Sequence, residues 1–433
     1  MNDTAEWLRR RLPELVAEHG VGAQVAVLAD GEIHDAAAGV LSTATGERVT
    51  VGSLFQIGSI TKVWTATLVA QLVGEGLLDL DRPVREVLPE FRLADERVAR
   101  AVTPRQLLCH LGGFEGDQWF DTGTGDDCVA RFVALLADAR QLTEPGELFS
   151  YCNAGYVVLG RIVEVLRGRP FHVVLRERLV GPLGLTNVAT HYDEYPAHRG
   201  AEGHLSAGGP PVDTMMPGSD APAGSAFAMN ARSLVRFARM HLETTAYDAM
   251  RVQQVKTPDG GGWGLGWTVH HYPNGTIGVG HGGATMGQDA ALRVLPEAGV
   301  AIAVLTNGGA EAKLQRAVFS HLLGELAGVH LAELPVPPEP PVPVDAAELT
   351  GVYRSSALDV HITPAAEGRV RVRYEPKHWI CETTMTDRDR GTDYTTLSDD
   401  ALIAVDEPHT VLRLVRRDDQ VRWVHFGRAA VRR

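Results

Sequence analysis

Hydrophobic positions at the start of the chain recur at helical spacing over residues 3–19, with a kink expected at Pro13, and then alternate over 24–28 and 32–39. The two alternating runs meet at Asp30-Gly31, a favoured turn pair, so a helix followed by a hairpin is predicted. Residues 60–80 form a long apolar stretch in which Trp64, Leu68, Val69, Leu72 and Val73 keep helical spacing and few charges precede Glu75. Such a stretch predicts a buried helix. Helical patterns return at 156–165 and 233–242, strand patterns at 263–269 and 276–279, and a hairpin over 291–305 turns between Pro296 and Gly299. A helix over 314–326 follows. Strands at both ends of a helical middle imply an α+β fold, an antiparallel sheet flanked by helices.

Six of the nine residues from Pro335 to Pro343 are proline, a stiff composition that continues neither a helix nor a sheet ladder. Beyond it come short alternating runs, such as Val370, Val372 and Tyr374 or Val421 and Trp423, separated by turn residues. Three segments are therefore expected: a large domain over 1–333, a linker over 334–344, and a small antiparallel β-barrel over 345–433. A chain of 433 residues exceeds what one core ordinarily serves.

Composition works mainly by exclusion. Apolar residues at 44% and charged residues at 22% are ordinary for a globular protein. The 54 acidic and 41 basic residues give a net charge of −13, spread along the chain, which argues against nucleic acid and anionic membrane as partners. The opening Met-Asn-Asp-Thr-Ala-Glu has no secretory pattern, and no run reaches the ~18 apolar residues of a membrane span. A cytoplasmic protein is expected. Cys109, Cys128, Cys152 and Cys381 show no CxxC spacing and read as reduced thiols. The histidines form no HExxH pair, and His270 and His271 on one strand would face opposite ways. No metal and no organic cofactor is implied, and oligomeric state stays open.

Three motifs carry candidate chemistry. Gly58-Ser59-Ile60-Thr61-Lys62 sets a serine at a helix start one turn before a lysine, on the same face. A hydroxyl needs a base to attack, and a desolvated lysine gives up its own proton readily enough to serve. The helix N-terminus also favours a developing oxyanion. An N-cap serine beside a snorkelling lysine is the plainer reading of the same spacing. In Phe149-Ser150-Tyr151-Cys152-Asn153, Tyr151 and Asn153 point the same way from an extended loop. A phenol beside an ammonium ionises more readily and relays a proton, and the amide holds the lysine and a substrate carbonyl. A buried tyrosine next to an N-capping asparagine is the alternative. Gly280-His281-Gly282-Gly283-Ala284 closes an apparent strand, where glycines admit close backbone approach or simply make a turn.

Taken in this order, the motifs resemble the serine β-lactamase and penicillin-binding-protein superfamily, specifically its class C-like branch. Residues 103–113, Pro182-Leu183-Gly184-Leu185 and the Gly262 to Trp267 stretch add to the similarity, which runs from about residue 10 to 325. The resemblance implies a β-lactamase/transpeptidase-like fold and an acyl-enzyme on Ser59. Tyr151 with Lys62 would act as base and then acid, Asn153 would orient Lys62 and the substrate amide, and His281 would stand on the third catalytic motif. The N–H groups of Ser59 and Ala284 would form the oxyanion hole, worth about 3 kcal/mol per donor. Gly282 and Gly283 would border the substrate, and Trp119 and Trp263, with Phe120 and Trp267, would line an acyl pocket or fill core. Where penicillin-binding proteins and most β-lactamases carry Lys-Thr-Gly, this chain has His281-Gly282-Gly283, so a fixed cation for a substrate carboxylate is missing there. That variant looks like the one in family esterases, D-amino-acid peptidases, transacylases and peptide-cyclising thioesterases. The C-terminal barrel resembles the lipocalin-like domain of several such branches, covering the active-site mouth or merely packing. The implied function is an intracellular hydrolase or acyltransferase acting on a small-molecule or peptidyl ester, thioester or amide, peptide cyclisation included. The alternatives are a plain esterase or D-peptidase, and a penicillin-receptor-like module that acylates without turnover.

Overall fold

The computed structural model describes residues 2–198, 200–385, 391–407 and 409–432. The first helix, Asn2–His19, runs through Pro13 as one element and leads into the hairpin Gly22–Ala29 and Glu32–Gly39. Asp30 and Gly31 adopt φ of 51° and 78°, the left-handed pair that a tight hairpin needs. Gly22–Ala29 also pairs with Val300–Thr306, so the start of the chain and a distant hairpin build one sheet. That sheet has eight strands, in the order 32–39, 22–29, 300–306, 289–295, 277–284, 268–271, 262–263 and 255–256, with every neighbour antiparallel.

Alternation along the strands feeds two cores. Leu292, Val294, Ala303 and Leu305 face the larger one, which holds the central helices. Ala291, Leu295, Ile302 and Val304 face the smaller one, against Leu8, Leu12 and Leu15 of the first helix and Leu314, Val318 and Leu322 of Glu311–Ala327. The fold is α+β, an antiparallel sheet covered by helices on both faces.

The apolar run expected as a helix over 60–80 is shorter. A 3-10 turn, Gly58–Ile60, precedes the helix Thr61–Gly74. Gly76 at φ 71° stops it, and the Leu77 N–H turns back to the Leu72 carbonyl at 2.9 Å, because only a residue tolerant of positive φ closes a helix this way. Inside the core, Trp64 stacks on Phe237 at 3.8 Å. Other helices are Asn153–Arg167 and Ala231–Glu243. The run over 263–269 is two strands, Gly262–Trp263 and Thr268–His271, since Gly266 at φ 87° reverses the chain between them. The strand expected to stop at 279 continues as Ile277–Ala284, which makes His281, Gly282 and Gly283 strand residues. No helix among the described residues is long and apolar enough to cross a membrane.

Residues 335–343 contain no helix or strand, and Val342 makes a single bridge to Thr396. The strands from Gly351–Arg354 to Ala429–Arg432 then close into an eight-stranded antiparallel barrel filled by Tyr353, Val360, Val372, Tyr394, Leu412 and Val424. Its last hairpin docks on the first domain. Trp423 Nε1 donates to the Leu142 carbonyl at 3.3 Å, His425 Nε2 to the Phe149 carbonyl at 2.9 Å, and the Ala429 N–H to Ser150 Oγ at 3.1 Å.

The strand edge and the Ser59 turn touch through bare backbone. A Cβ on Gly283 would fall 2.0 Å from the Ile57 carbonyl oxygen, whereas one on Gly282 would meet nothing closer than 3.9 Å. Gly283→Ala is therefore expected to lower unfolding stability by about 1–3 kcal/mol through overpacking, and Gly282→Ala to stay close to wild type. Urea titration of the two variants checks the contrast, and equal midpoints would show that the strand edge yields freely.

Candidate active site

Ser59 sits in the turn that Gly58 makes possible: Gly58 takes φ 50°, and a Cβ there would lie 2.6 Å from the Ala284 nitrogen. The start of the helix and the end of the strand are thus held at backbone contact, which brings the peptides of Ser59 and Ala284 together. One turn on, Lys62 is fully buried and its Nζ lies 3.0 Å from Ser59 Oγ and 2.6 Å from the Ala223 carbonyl oxygen. The same nitrogen stands 4.9 Å from the centre of the Tyr151 ring. Burial is the main force that brings its pKa from 10.5 down to about 7, with the Arg428 charge adding to it and Asp117, Asp220 and Cys152 opposing it. Near neutral pH Lys62 is therefore able to accept the Ser59 proton.

Tyr151 behaves differently from the sequence expectation. Its hydroxyl shares a hydrogen bond with Ser59, but burial pushes the phenol well above its ordinary pKa. Desolvation of a phenolate outweighs the nearby Arg428 charge, so Tyr151 keeps its proton and is placed to donate it. The ring is clamped by His110, which stacks on it at 4.3 Å and whose Nδ1 accepts the Cys152 N–H at 2.9 Å. Burial also keeps the His110 imidazole neutral.

Asn153 does not hold Lys62. Its amide donates to Asp117 Oδ1 at 2.8 Å, while the lysine turns to Ser59 and Ala223. Nor is it an N-cap: that position belongs to Cys152, whose sulfur accepts the Gly155 N–H at 3.3 Å. His281 is buried on its strand, and desolvation lowers its pKa to about 3, leaving it neutral. Its Nδ1 faces the Gly282 carbonyl and so carries the hydrogen, while Nε2 has no hydrogen-bond partner among the described residues. Trp119, Trp263, Gly282, Gly283 and Ala284 line the same cavity as Ser59, Tyr151, Asn153 and His281. Phe120 packs on Phe132 and Trp267 is fully buried in the core, so neither contributes a wall.

The far side of the cavity is barrel. Leu358, Ile380, Phe426 and Arg428 line it, and the Gly427 carbonyl accepts the Tyr151 backbone N–H at 3.0 Å. Arg428 forms an ion pair with Asp117, lies 4.9 Å over the Tyr151 ring, and keeps 34% of its side chain exposed. The third motif lacks a cation, but the site does not, because the barrel delivers one. Arg428, Asp117 and the Ala223 carbonyl were invisible to motif reading. Arg428 is one arginine of many, following a turn glycine at φ 83°, and Asp117 belongs to no pattern.

A family model described as Beta-lactamase matches residues 8–323. The chain belongs to the beta-lactamase family. Penicillin-binding protein 4 of Amycolatopsis lactamdurans is 46% identical over 374 residues, 81% of this chain and 97% of that protein. The crystal structure of SurE with D-Leu superposes with a TM-score of 0.80 at 30% identity and covers 100% of both chains. The octameric penicillin-binding protein homologue from Pyrococcus abyssi, at 22% identity and a TM-score of 0.66 over 99% of each chain, shares the fold. Membership makes this a serine enzyme of hydrolysis or acyl transfer in general.

For a member of this family whose base is Lys62, acylation is expected to rise with pH through about 7. Arg428→Met removes a charge that lowers the lysine pKa and frees Asp117, which raises it, so the acid limb should move to higher pH. Burst kinetics with an activated ester across about pH 5–9 read the limb directly. A limb that stays in place would disconnect it from Lys62.

Proposed function

We propose that Ser59 takes an acyl group from a small or peptidyl ester or thioester and passes it to an amine or to water, in the class C-like manner of the family. The observation that carries this reading is the composite wall. Catalytic domain and barrel together enclose about 1220 Å³ around Ser59, more than the roughly 300–1,000 Å³ of a site for a drug-sized molecule, so the space suits a peptidyl chain. The partly exposed Arg428 guanidinium offers donors for a substrate carboxylate or carbonyl, a role that His281-Gly282-Gly283 leaves empty. Likeness to a protein solved with D-Leu supports a D-configured residue at the acyl or acceptor position, and with it peptide cyclisation, where donor and amine share one chain. The thiols of Cys109, Cys128 and Cys152 in the first domain fit a cytoplasmic setting.

Neutral Lys62 removes the Ser59 proton as Oγ bonds to the carbonyl carbon. The N–H groups of Ser59 and Ala284 face the oxygen that becomes negative. The bond to the leaving group breaks, and the leaving group takes a proton through Tyr151, which returns Lys62 to its neutral state. In the second half an amine or water attacks the ester, the C–Oγ bond breaks, and the proton lost by the attacker passes through Tyr151 and Lys62 to Ser59 Oγ.

The 46% identity to a penicillin-binding protein favours one second reading, a stable acyl-enzyme with β-lactams. Intact-mass spectrometry of wild type and Ser59→Ala with a fluorophosphonate, a peptidyl thioester and penicillin G separates the two. The wild type is expected to gain one acyl group from the thioester and lose it faster when an amine is added, and Ser59→Ala to gain none. A lasting penicillin adduct with no thioester turnover would replace the first reading by the second, and an adduct on Ser59→Ala would remove Ser59 as the nucleophile.

A further inference from the structure

The 3-10 segment Gly218–Ala223, with Gly224 and Ser225, walls the cavity beside the nucleophile. Its Ala223 carbonyl accepts from Lys62, and a Cβ on Gly224 would lie 2.9 Å from the Ser59 nitrogen. Two side chains of this wall are incomplete. Asp220 and Ser225 are 3% and 2% exposed, and both carboxyl oxygens of Asp220 and the Ser225 hydroxyl have no hydrogen-bond partner among the described residues. Both residues line the cavity that contains Ser59. A buried carboxylate without a partner is costly, and native proteins supply one.

Among the described residues, the two cations that flank Ser59 and Tyr151 are already committed. Lys62 Nζ is directed to Ser59 and Ala223, and Arg428 is paired with Asp117. Tyr192 gives its hydroxyl to the Met216 and Ser225 carbonyls instead. No described residue complements Asp220, and a cationic N–H donor small enough to sit beside an acyl-serine would do so.

We infer that Asp220 and Ser225 form the subsite for the acyl acceptor and take a primary amine as its ammonium ion, an assignment that rests on the acyl-transfer reading above. Entry of R–NH3+ displaces the carboxyl proton of Asp220 to solvent, and the bound ammonium then gives one proton to that carboxylate and becomes R–NH2, the form with a free electron pair. Burial raises the Asp220 carboxyl well above its ordinary pKa, with Asp117 and Asp121 reinforcing the shift and Lys62 opposing it, so the carboxyl is suited to keep that proton. The nitrogen then bonds to the ester carbon and the C–Oγ bond breaks. The N–H proton released on attack passes through Tyr151 and Lys62 to Ser59 Oγ, and Asp220 keeps the proton it took, which restores its state before the acceptor entered.

The test uses the full-length protein acylated from a 4-nitrophenyl ester, with benzylamine or benzyl alcohol as acceptor. The two have the same shape, and only one carries a charge. Product ratios give the half-saturating concentration of each acceptor within a single variant, so a change in acylation rate cancels. Asp220→Asn is expected to raise the value for benzylamine about tenfold or more and to leave that for benzyl alcohol within about twofold, the size of one lost charge-assisted contact. Ser225→Ala should move benzylamine in the same direction by about threefold, and it carries the test if Asp220→Asn fails to fold by circular dichroism. Equal shifts for amine and alcohol, or no shift, would overturn the subsite. So would a wild-type acyl-enzyme that benzylamine fails to intercept with saturation, an outcome that leaves the Ser59 ester standing. A wild type with no ester by mass spectrometry would overturn the underlying reading and the subsite together.

Discussion

The Lys62 side chain is fully buried, and that burial is relieved by easing the charge away rather than by an ion pair. A lysine treated this way still needs polar partners, and it finds two, Ser59 Oγ at 3.0 Å and the Ala223 carbonyl at 2.6 Å. Each of these requires further structure. Ser59 is in reach because Gly58 turns through positive φ against the bare edge of a strand, and Ala223 because the 3-10 segment lies against the same helix, where Thr65 also donates to the Pro222 carbonyl at 2.7 Å. The first turns of the helix that bears the lysine are buried, with Trp64, Val63 and Leu68 inside the larger core.

The second constraint is a chain of charges that crosses the two domains. Asn153 donates to Asp117, Asp117 pairs with Arg428, and Arg428 covers the face of Tyr151. Each member is partly desolvated, and removing one leaves another charge unanswered. Arg428 and Asp117 act on Lys62 in opposite directions, so the pair keeps the base near neutrality while holding the barrel to the site. The barrel is for this reason a wall of the active site and not an appendage.

Much of this was legible in the residues. Hydrophobic period gave the first helix, its hairpin, the buried helix and the paired strands around Pro296, because those elements obey local patterning. Boundaries slipped where a single glycine φ decides them, at Gly76 and at Gly266. Ser59, Lys62 and Tyr151 were recognisable from the conjunction of motifs and its resemblance to the family, and the structure brings all three together. Asn153 was assigned the wrong neighbour, and Tyr151 the wrong direction of shift, because hydrogen-bond choice and burial belong to the assembled site. Arg428 and Asp220 had no sequence signature, since their meaning comes from what surrounds them in space.

The docking of the last hairpin has a consequence in time. His425 bonds to Phe149 across 276 residues of chain, and Gly427 holds the backbone of Tyr151 itself. A ribosome that has delivered Ser59, Lys62 and Tyr151 has still not delivered the wall that shelters them. Contacts this distant in sequence form late. Until the barrel has been made, the Gly427 carbonyl that holds the Tyr151 backbone is missing from the site.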